Sequence, residues 1–416
     1  MSKRSGTVAA VDVGSTKVTV VVADVGEFGE TRILGVGVTP AAGLSRGAID
    51  NIGSAREAIS TAVQRAEQSC GMRILSAGVS ITGSHIQSQN SRGIIAVTDR
   101  TRPISEDDKE RVLEAASQIA IPTNREVLHS IPRGYWVEGT EQVSDPAGMF
   151  GGRVDAEVHI VTAAVSAIQN LTKCVEGAGV QVDNIVLGPL AAAHASLQEQ
   201  ERVQGSALID IGGSATSLCV FEEGNIAHSA CLPLGGTHIT QDLARVLRCP
   251  WESAETLKRE AGAAGVDPSM NGQSVEIEAF GTHPSKQVAL THVSEIIQAR
   301  LEEIFEVVIL ELKRAGYLDR LAAGLVVTGG TSELDGIAEF AESRLGLPVR
   351  VGSPRGYAGL NELVSTPTYS TALGLADFML GDRDRVVQPS GYSTAPGLGG
   401  GLLRRLATFG RGLIPE

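Results

Sequence analysis

Cysteine is sparse in this 416-residue chain, and the five that occur, Cys70, Cys174, Cys219, Cys231 and Cys249, show no C-x-x-C spacing. An odd, scattered set excludes a disulfide framework or a thiolate metal cluster and reads as reduced core thiols of a cytosolic protein. Positive charge is also short: 35 Lys and Arg stand against 48 Asp and Glu, for a formal net charge of −13. A general nucleic-acid binder needs a basic face, so that class is set aside. No apolar run approaches the roughly 18 residues of a membrane-spanning helix. The start, MSKRSGTVAAVDVG, lacks the long apolar core and small-residue cleavage site of a secretory signal. Neither G-x-x-x-x-G-K-[ST] nor G-x-G-x-x-G occurs, so no P-loop or dinucleotide fingerprint is present. What remains is an ordinary globular balance, 42% hydrophobic and 20% charged, in a chain long enough for at least two domains.

The strongest signal is an internal repeat. VAAVDVGSTKVTVVVADV at residues 8–25 and SALIDIGGSATSLCVFEEG at 206–224 share one pattern: an apolar strand, Asp-x-Gly, small hydroxyl residues, and a second β-branched strand. Asp12 and Asp210 lie 198 residues apart, a spacing that points to duplicated halves rather than a short-period solenoid. Gly14 in one turn, and Gly212 with Gly213 in the other, let backbone approach a ligand closely. Successive N–H groups in such turns form a concave anion site. Ser15, Thr16, Ser214 and Thr216 add hydroxyls, and Lys17 adds a cation suited to phosphate. Asp12 and Asp210 are candidates to hold Mg²⁺ through water, an ion that keeps several waters and takes one or two carboxylates. The bland alternative is a pair of tight hairpins. Two matching turns on matching hairpins weigh against it.

Three further segments follow the same logic. AGLVVTGGTSELDGIAEFAESRLG at 323–346 reads as a buried strand, a Gly329-Gly330 turn and a helix capped by Thr331 or Ser332. PLGGTHITQDLARVL places Gly235 and Gly236 ahead of a helix, and ESAETLKREAG puts Glu255 and Lys258 three apart on one helix face. Taken alone, that last pair reads as a solvated surface ion pair.

The two hairpins, the later VVTGG loop and the order of segments between them resemble the actin/hexokinase superfamily. Within it the chain resembles the FtsA family of bacterial cell-division proteins. The likeness runs from about Val8 to Leu380 through AVDVGSTKV, VSITGSHIQSQNSRG, VHIVTAA, ALIDIGGSATSLCVF, PLGGTHITQDLA, IIQARLEEIFEVV, VVTGGTSELDGI and YSTALGLADF. The resemblance implies an α/β actin-like ATPase fold of two duplicated halves, each with a subdomain insertion. It also implies a cleft for ATP and Mg²⁺, in which Glu255 and Lys258 reach the adenosine from the side. Subdomain 1A would comprise residues 1–83, 158–197 and 365–380. The insertion 1C, an SHS2 domain, would cover 84–157, with a role in self-association and in binding later division proteins. Subdomain 2A would comprise 198–227 and 300–364, and 2B would cover 228–299. Arg300, in IIQARLEEI, becomes the implied contact for the acidic C-terminal peptide of tubulin-like FtsZ. On sequence alone, Arg300 serves equally well as a surface arginine paired with Glu303 or another acid.

Hydrolysis needs a group that orients the nucleophile. The crossing between halves, IVLGPLAAAHASL, offers only His194, so slow hydrolysis at most is expected. A small-molecule kinase and an actin-like protein of type IV pilus assembly are the alternatives on the same fold.

The chain ends in GGGLLRRLATFGRGLIPE after a Pro/Gly/Ser-rich stretch. At about 100° per residue, Leu402, Leu406, Phe409 and Leu413 share a narrow arc that Leu403 widens, and Arg404, Arg405 and Arg411 fall on the other side. Residues 402–416 carry three Arg and one Glu, net +2, which leaves −15 on the rest. Residues 400–416 thus read as an interfacial helix, too short to span, that folds on an anionic membrane surface. Residues 381–399 read as a linker giving it reach. One such helix binds weakly, so a polymer carrying many would bind by avidity. With the resemblance, this places the protein peripherally on the cytoplasmic side of the cell membrane at the division site.

Overall fold

A computed structural model describes residues 6–381, apart from residues 27–28, 46, 282–284, 361 and 363. Beyond Gly381, the expected linker and membrane helix lie outside the described residues. Within them, no helix is long and apolar enough to cross a membrane.

The two halves repeat one sheet topology. In the first, strands run in the order Gln181–Leu187, Ser76–Ile81, Val8–Val13, Lys17–Val25, Thr31–Pro40, with Tyr357–Gly359 added at the edge. In the second, the order is Val349–Val351, Leu325–Thr328, Ser206–Ile211, Thr216–Glu222, Asn225–Leu232. Each sheet thus has two parallel strands beside a three-stranded antiparallel meander. The central strands are continuous β-branched runs, buried because helices cover their faces. Val18, Val20 and Val21 are fully buried in one half, and Leu208, Ile209 and Leu218 in the other.

Helix Ile52–Cys70 packs a stripe of Ala58, Ile59, Ala62, Val63 and Ala66 inward. It lies so close to the sheet that a Cβ on Gly37 would come within 2.0 Å of the Ala62 carbonyl oxygen. The halves are joined by two crossing helices, the Ala-rich Gly188–Ser196 and the last described helix, Ser370–Gly381. At Gly374 an added Cβ would meet the Ala191 carbonyl oxygen at 1.7 Å, so only glycine fits this crossing.

The insertion is a sheet ordered Gln87–Ala96, Arg153–Ala164, Arg125–Val137, Gln142–Val143, with helix Glu106–Ser117 on one face. Ser105 and Asp108 form a capping box. Arg102 and Arg111 both bind the buried Asp108 carboxylate, and the Arg102 hydrogen bonds hold it well below the usual carboxylate range. Strand Arg153–Ala164 runs unbroken past residue 157 and leads straight into helix Val165–Gly177 of the first half. The insertion also touches the second half. Ser88 Oγ donates to the Ser229 carbonyl at 2.7 Å, and Asn90 Nδ2 donates to that of Ala227 at 2.9 Å. His159, fully buried, lies 2.7 Å from Asn90 Oδ1 and 2.9 Å from Ser229 Oγ.

Candidate functional site

Both hairpin turns close the same way. Gly14 N–H donates to the Lys17 carbonyl at 3.0 Å, and Gly212 N–H to the Ala215 carbonyl at 2.9 Å. The two turns meet. Ser214 N–H donates to Ser15 Oγ at 3.0 Å, and a Cβ on Gly213 would stand 2.4 Å from Thr16 Cγ2 and 2.9 Å from Ser15 Oγ. Residues 199 positions apart in sequence therefore meet where the two halves face each other.

The aspartates face each other electrostatically. Burial raises the Asp12 carboxyl, while the bond from Ser80 Oγ at 2.5 Å and the Lys17 charge oppose that rise. Burial pushes Asp210 up to about 6, assisted by the Asp12 charge and opposed by a hydrogen bond from Thr371 Oγ1 at 3.2 Å. Two desolvated carboxylates that repel each other suit a shared cation. Among the described residues, no cluster of three or more His, Cys, Asp or Glu forms a closed metal cage. The acidic pair fits an ion that draws its remaining ligands from water and phosphate.

Lys17 is held by burial down to about 8. Its Nζ donates to Thr368 Oγ1 at 2.9 Å and lies 3.7 Å from the centroid of the Tyr369 ring. The Ser214 hydroxyl is buried with no partner among the described residues, an unmet donor at the mouth of the anion turn.

Other predicted residues support the cleft from behind. Thr216 is fully buried and spends its hydroxyl on the Leu234 carbonyl at 2.8 Å, so it anchors the turn rather than offering a donor to it. Gly236 and Thr237 N–H groups donate to the Gly212 and Gly213 carbonyls at 2.9 and 2.8 Å. The start of helix Gly236–Leu247 is thus strapped to the second turn. Gly235 permits this: its Cβ would come within 2.6 Å of both carbonyl oxygens. Glu255 and Lys258 are not a solvated pair. Lys258 is 9% exposed and binds Glu255 Oε2 at 2.7 Å, Thr240 Oγ1 at 2.9 Å and the Gly236 carbonyl at 3.2 Å.

The VVTGG segment departs from its expected form. After strand Leu325–Thr328 comes a 3-10 turn, Gly330–Glu333, and helix Ile337–Leu345 starts only after Gly336. Thr331 and Ser332 do not cap it; their hydroxyls bond the Gly212 and Gly329 carbonyls at 3.3 and 2.7 Å. Gly329 takes φ +86°, and a Cβ there would strike Asp210 Oδ1 at 2.2 Å. Sequence reasoning missed Ser80, Thr368, Tyr369 and Thr371. The last three lie in TPTYSTALG, a hydroxyl-rich run behind a proline that carried the only visible clue.

A second feature is an open groove of about 450 Å³ between helices Gly236–Leu247 and Leu290–Ala315, lined by Asp242, Val246, Glu295, Ile296, Ala299, Arg300 and Glu303. Arg300 grips Asp242 through two bonds, at 2.6 and 3.0 Å, and also contacts Glu303.

Two like halves around a glycine-rich cleft define an actin-like fold, and solved structures agree. A PilM–PilN type IV pilus biogenesis complex aligns with TM-score 0.61 at 17% identity, over 89% of this chain and 97% of that one. MreB5 of Spiroplasma citri bound to ADP aligns with TM-score 0.55 at 14% identity, over 90% and 96%. The family profile described as "Cell division protein FtsA" matches residues 207–374, and "SHS2 domain inserted in FTSA" matches 83–162. The cell division protein FtsA of Pseudomonas aeruginosa is 40% identical over 88% of both chains. That of Neisseria meningitidis serogroup B is 38% identical over 98% of both, and that of Bacillus subtilis 35% identical over 89% of this chain and 82% of its own. The chain belongs to the FtsA family of cell-division proteins. The pilus protein is a neighbour in fold only.

Proposed function

We propose that the cleft is an ATP site and that the protein works in division as a nucleotide-bound, self-associating subunit that ties FtsZ filaments to the membrane. The observation carrying this reading is the meeting of the two duplicated turns with Asp12 and Asp210 between them. The turn backbones around Gly14 and around Gly212 and Gly213, the Ser15, Thr16 and Ser214 hydroxyls and Lys17 would cradle phosphates. Asp12 and Asp210 would hold Mg²⁺ through water. When bound, that ion screens phosphate charge. Gly329, Gly330, Thr331, Gly236 and the Glu255–Lys258 pair would flank the adenosine. Two solved MreB5 structures, one bound to ADP and one to AMPPNP, support a nucleotide for a cleft of this fold.

Hydrolysis would be slow, because a positioned general base is wanting. Both aspartates are assigned to the ion, and His194 lies edge-on against Phe378, 5.9 Å between ring centroids, in the helix crossing.

The groove at Arg300 suits an acidic FtsZ tail: an exchangeable cation beside apolar Val246, Ile296 and Ala299. The insertion is assigned to self-association and later division partners, and residues 400–416 to the anionic cytoplasmic face of the membrane. The net charge of −13 argues against a general nucleic-acid binder. The test is co-sedimentation with anionic liposomes, with and without ATP, for the full chain and one ending at Gly400. The full chain should pellet, more so with ATP, and the shortened chain should stay in solution. Equal pelleting of both overturns the membrane assignment.

A further inference from the structure

Lys17 is the one cation in the anion turns, yet it does not point at open solvent. Its ammonium already has a hydroxyl acceptor 2.9 Å away on Thr368 and an aromatic face 3.7 Å away on Tyr369. We propose that Thr368 and Tyr369 are the resting seat of the Lys17 ammonium, a built-in competitor that phosphate must displace, and that this seat sets nucleotide affinity. The proposal rests on the reading of the cleft as a nucleotide site.

The segment that forms the seat touches the first turn, the VVTGG loop and Asp210 at the foot of the second turn. The Pro367 carbonyl accepts from Gly329 N–H at 3.3 Å and from Thr328 Oγ1 at 3.3 Å. Thr368 Oγ1 stands 3.2 Å from where a Gly330 Cβ would be, and Thr371 donates to Asp210 at 3.2 Å. These residues run directly into helix Ser370–Gly381, which crosses helix Gly188–Ser196 between the halves. The first turn, the second turn and the VVTGG loop therefore share one short contact strip. When phosphate draws Lys17 away, the strip loses its hold on the first turn and keeps those on Asp210 and Gly329.

The sign of the effect separates this role from plain scaffolding. A binding group tied up in the free state taxes apparent affinity by the fraction of molecules in which it is engaged. Removing the seat lifts that tax, so affinity rises. Removing a scaffold disorders the cleft, so affinity falls.

The experiment titrates a fluorescent ATP analogue with Mg²⁺ against the full-length protein and the variants Thr368→Val, Tyr369→Leu, Thr368→Ser and Lys17→Met. Thr368→Val and Tyr369→Leu should each bind roughly two- to fivefold more tightly, the size of one exposed cation–π contact or hydrogen bond. Thr368→Ser should match the wild type, and Lys17→Met should bind at least about tenfold more weakly. Hydrogen exchange gives a second readout. Amides at the start of helix Ser370–Gly381 should exchange faster in the wild type once nucleotide is added, and in Thr368→Val without it. Weaker or unchanged binding in folded Thr368→Val and Tyr369→Leu overturns the seat. So does unchanged exchange in the wild type, a measurement that needs no variant to fold. A wild type that binds no nucleotide overturns the cleft reading itself, which keeps the two failures apart.

Discussion

The first hairpin reads Asp12-Val13-Gly14-Ser15-Thr16-Lys17, and the second Asp210-Ile211-Gly212-Gly213-Ser214-Ala215. The backbone bond closing each turn is the same, and so is each place in its sheet. What surrounds them differs. The first turn carries the cation and is held at its tip by Ser15 and at its end by Lys17. The second has no cation. It is strapped from behind by Gly236, Thr237, Thr216 and Thr331, and its second glycine makes room for the first turn. Duplication supplied a symmetric frame, and the side chains divided the labour: charge on one side, tight backbone packing on the other.

That division is breakable, and the largest expected effect is steric. Gly213→Ala drives a methyl into Thr16 and Ser15 and should cost at least about thirtyfold in ATP affinity, because it separates the two turns. Gly14→Ala meets only its own turn's Lys17 carbonyl, at 2.9 Å, and should cost less. Equal losses would mean that the turns do not act as a facing pair. Isothermal titration reads both.

The next effect is electrostatic. The folded pKa of Asp210, about 6, lies above the ordinary value of about 4 for an unfolded aspartate. The folded state therefore binds this proton more tightly than the unfolded state. Ligand-free stability should fall as pH rises from about 4 to about 6, and Asp12 pushes the same way. Asp210→Asn should flatten that slope and make the ligand-free protein more stable at neutral pH. Urea unfolding at pH 4.5, 6 and 7.5 measures it, and a steeper slope in the variant contradicts it.

Away from the hairpins, Arg300→Glu puts three carboxylates together with Asp242 and Glu303. It should abolish measurable binding of an acidic FtsZ tail peptide while moving stability by only about 1 kcal/mol, as expected for a partly exposed ion pair. Peptide binding by anisotropy and a thermal melt separate the two. The smallest effect is expected of Glu255→Gln, which keeps a hydrogen-bond acceptor for Lys258 and Thr240 and removes the charge. Nucleotide affinity should drop roughly two- to fivefold.

The contrast between hairpins also marks how far sequence carried. Strand–turn–strand repeats with Asp-x-Gly are local patterns of short apolar runs and glycine, so Asp12, Asp210 and their turns could be read directly. The apolar spacing of helix Ile52–Cys70 and the Ser105–Asp108 cap are local patterns of the same kind. Thr216 was misread because strand alternation does not say which face a hydroxyl's carbonyl partner lies on. Thr331 and Ser332 were misread because a Gly-Gly-hydroxyl run suits either a helix cap or a short turn, and only the packing of the Gly212 carbonyl chose the turn. The Lys17 seat was invisible, since Thr368 comes 351 positions later on a segment with no periodicity.

The central claim is that the two duplicated aspartates serve one shared Mg–ATP site. Its most direct test is a double-mutant cycle of Mg²⁺-dependent ATP affinity over Asp12→Asn, Asp210→Asn and the pair. If both carboxylates hold the same ion, each single variant should lose most of the Mg²⁺-dependent affinity, and the double should be little worse than either. A wild type that does not bind, or a double whose loss is the sum of two independent losses, contradicts the account.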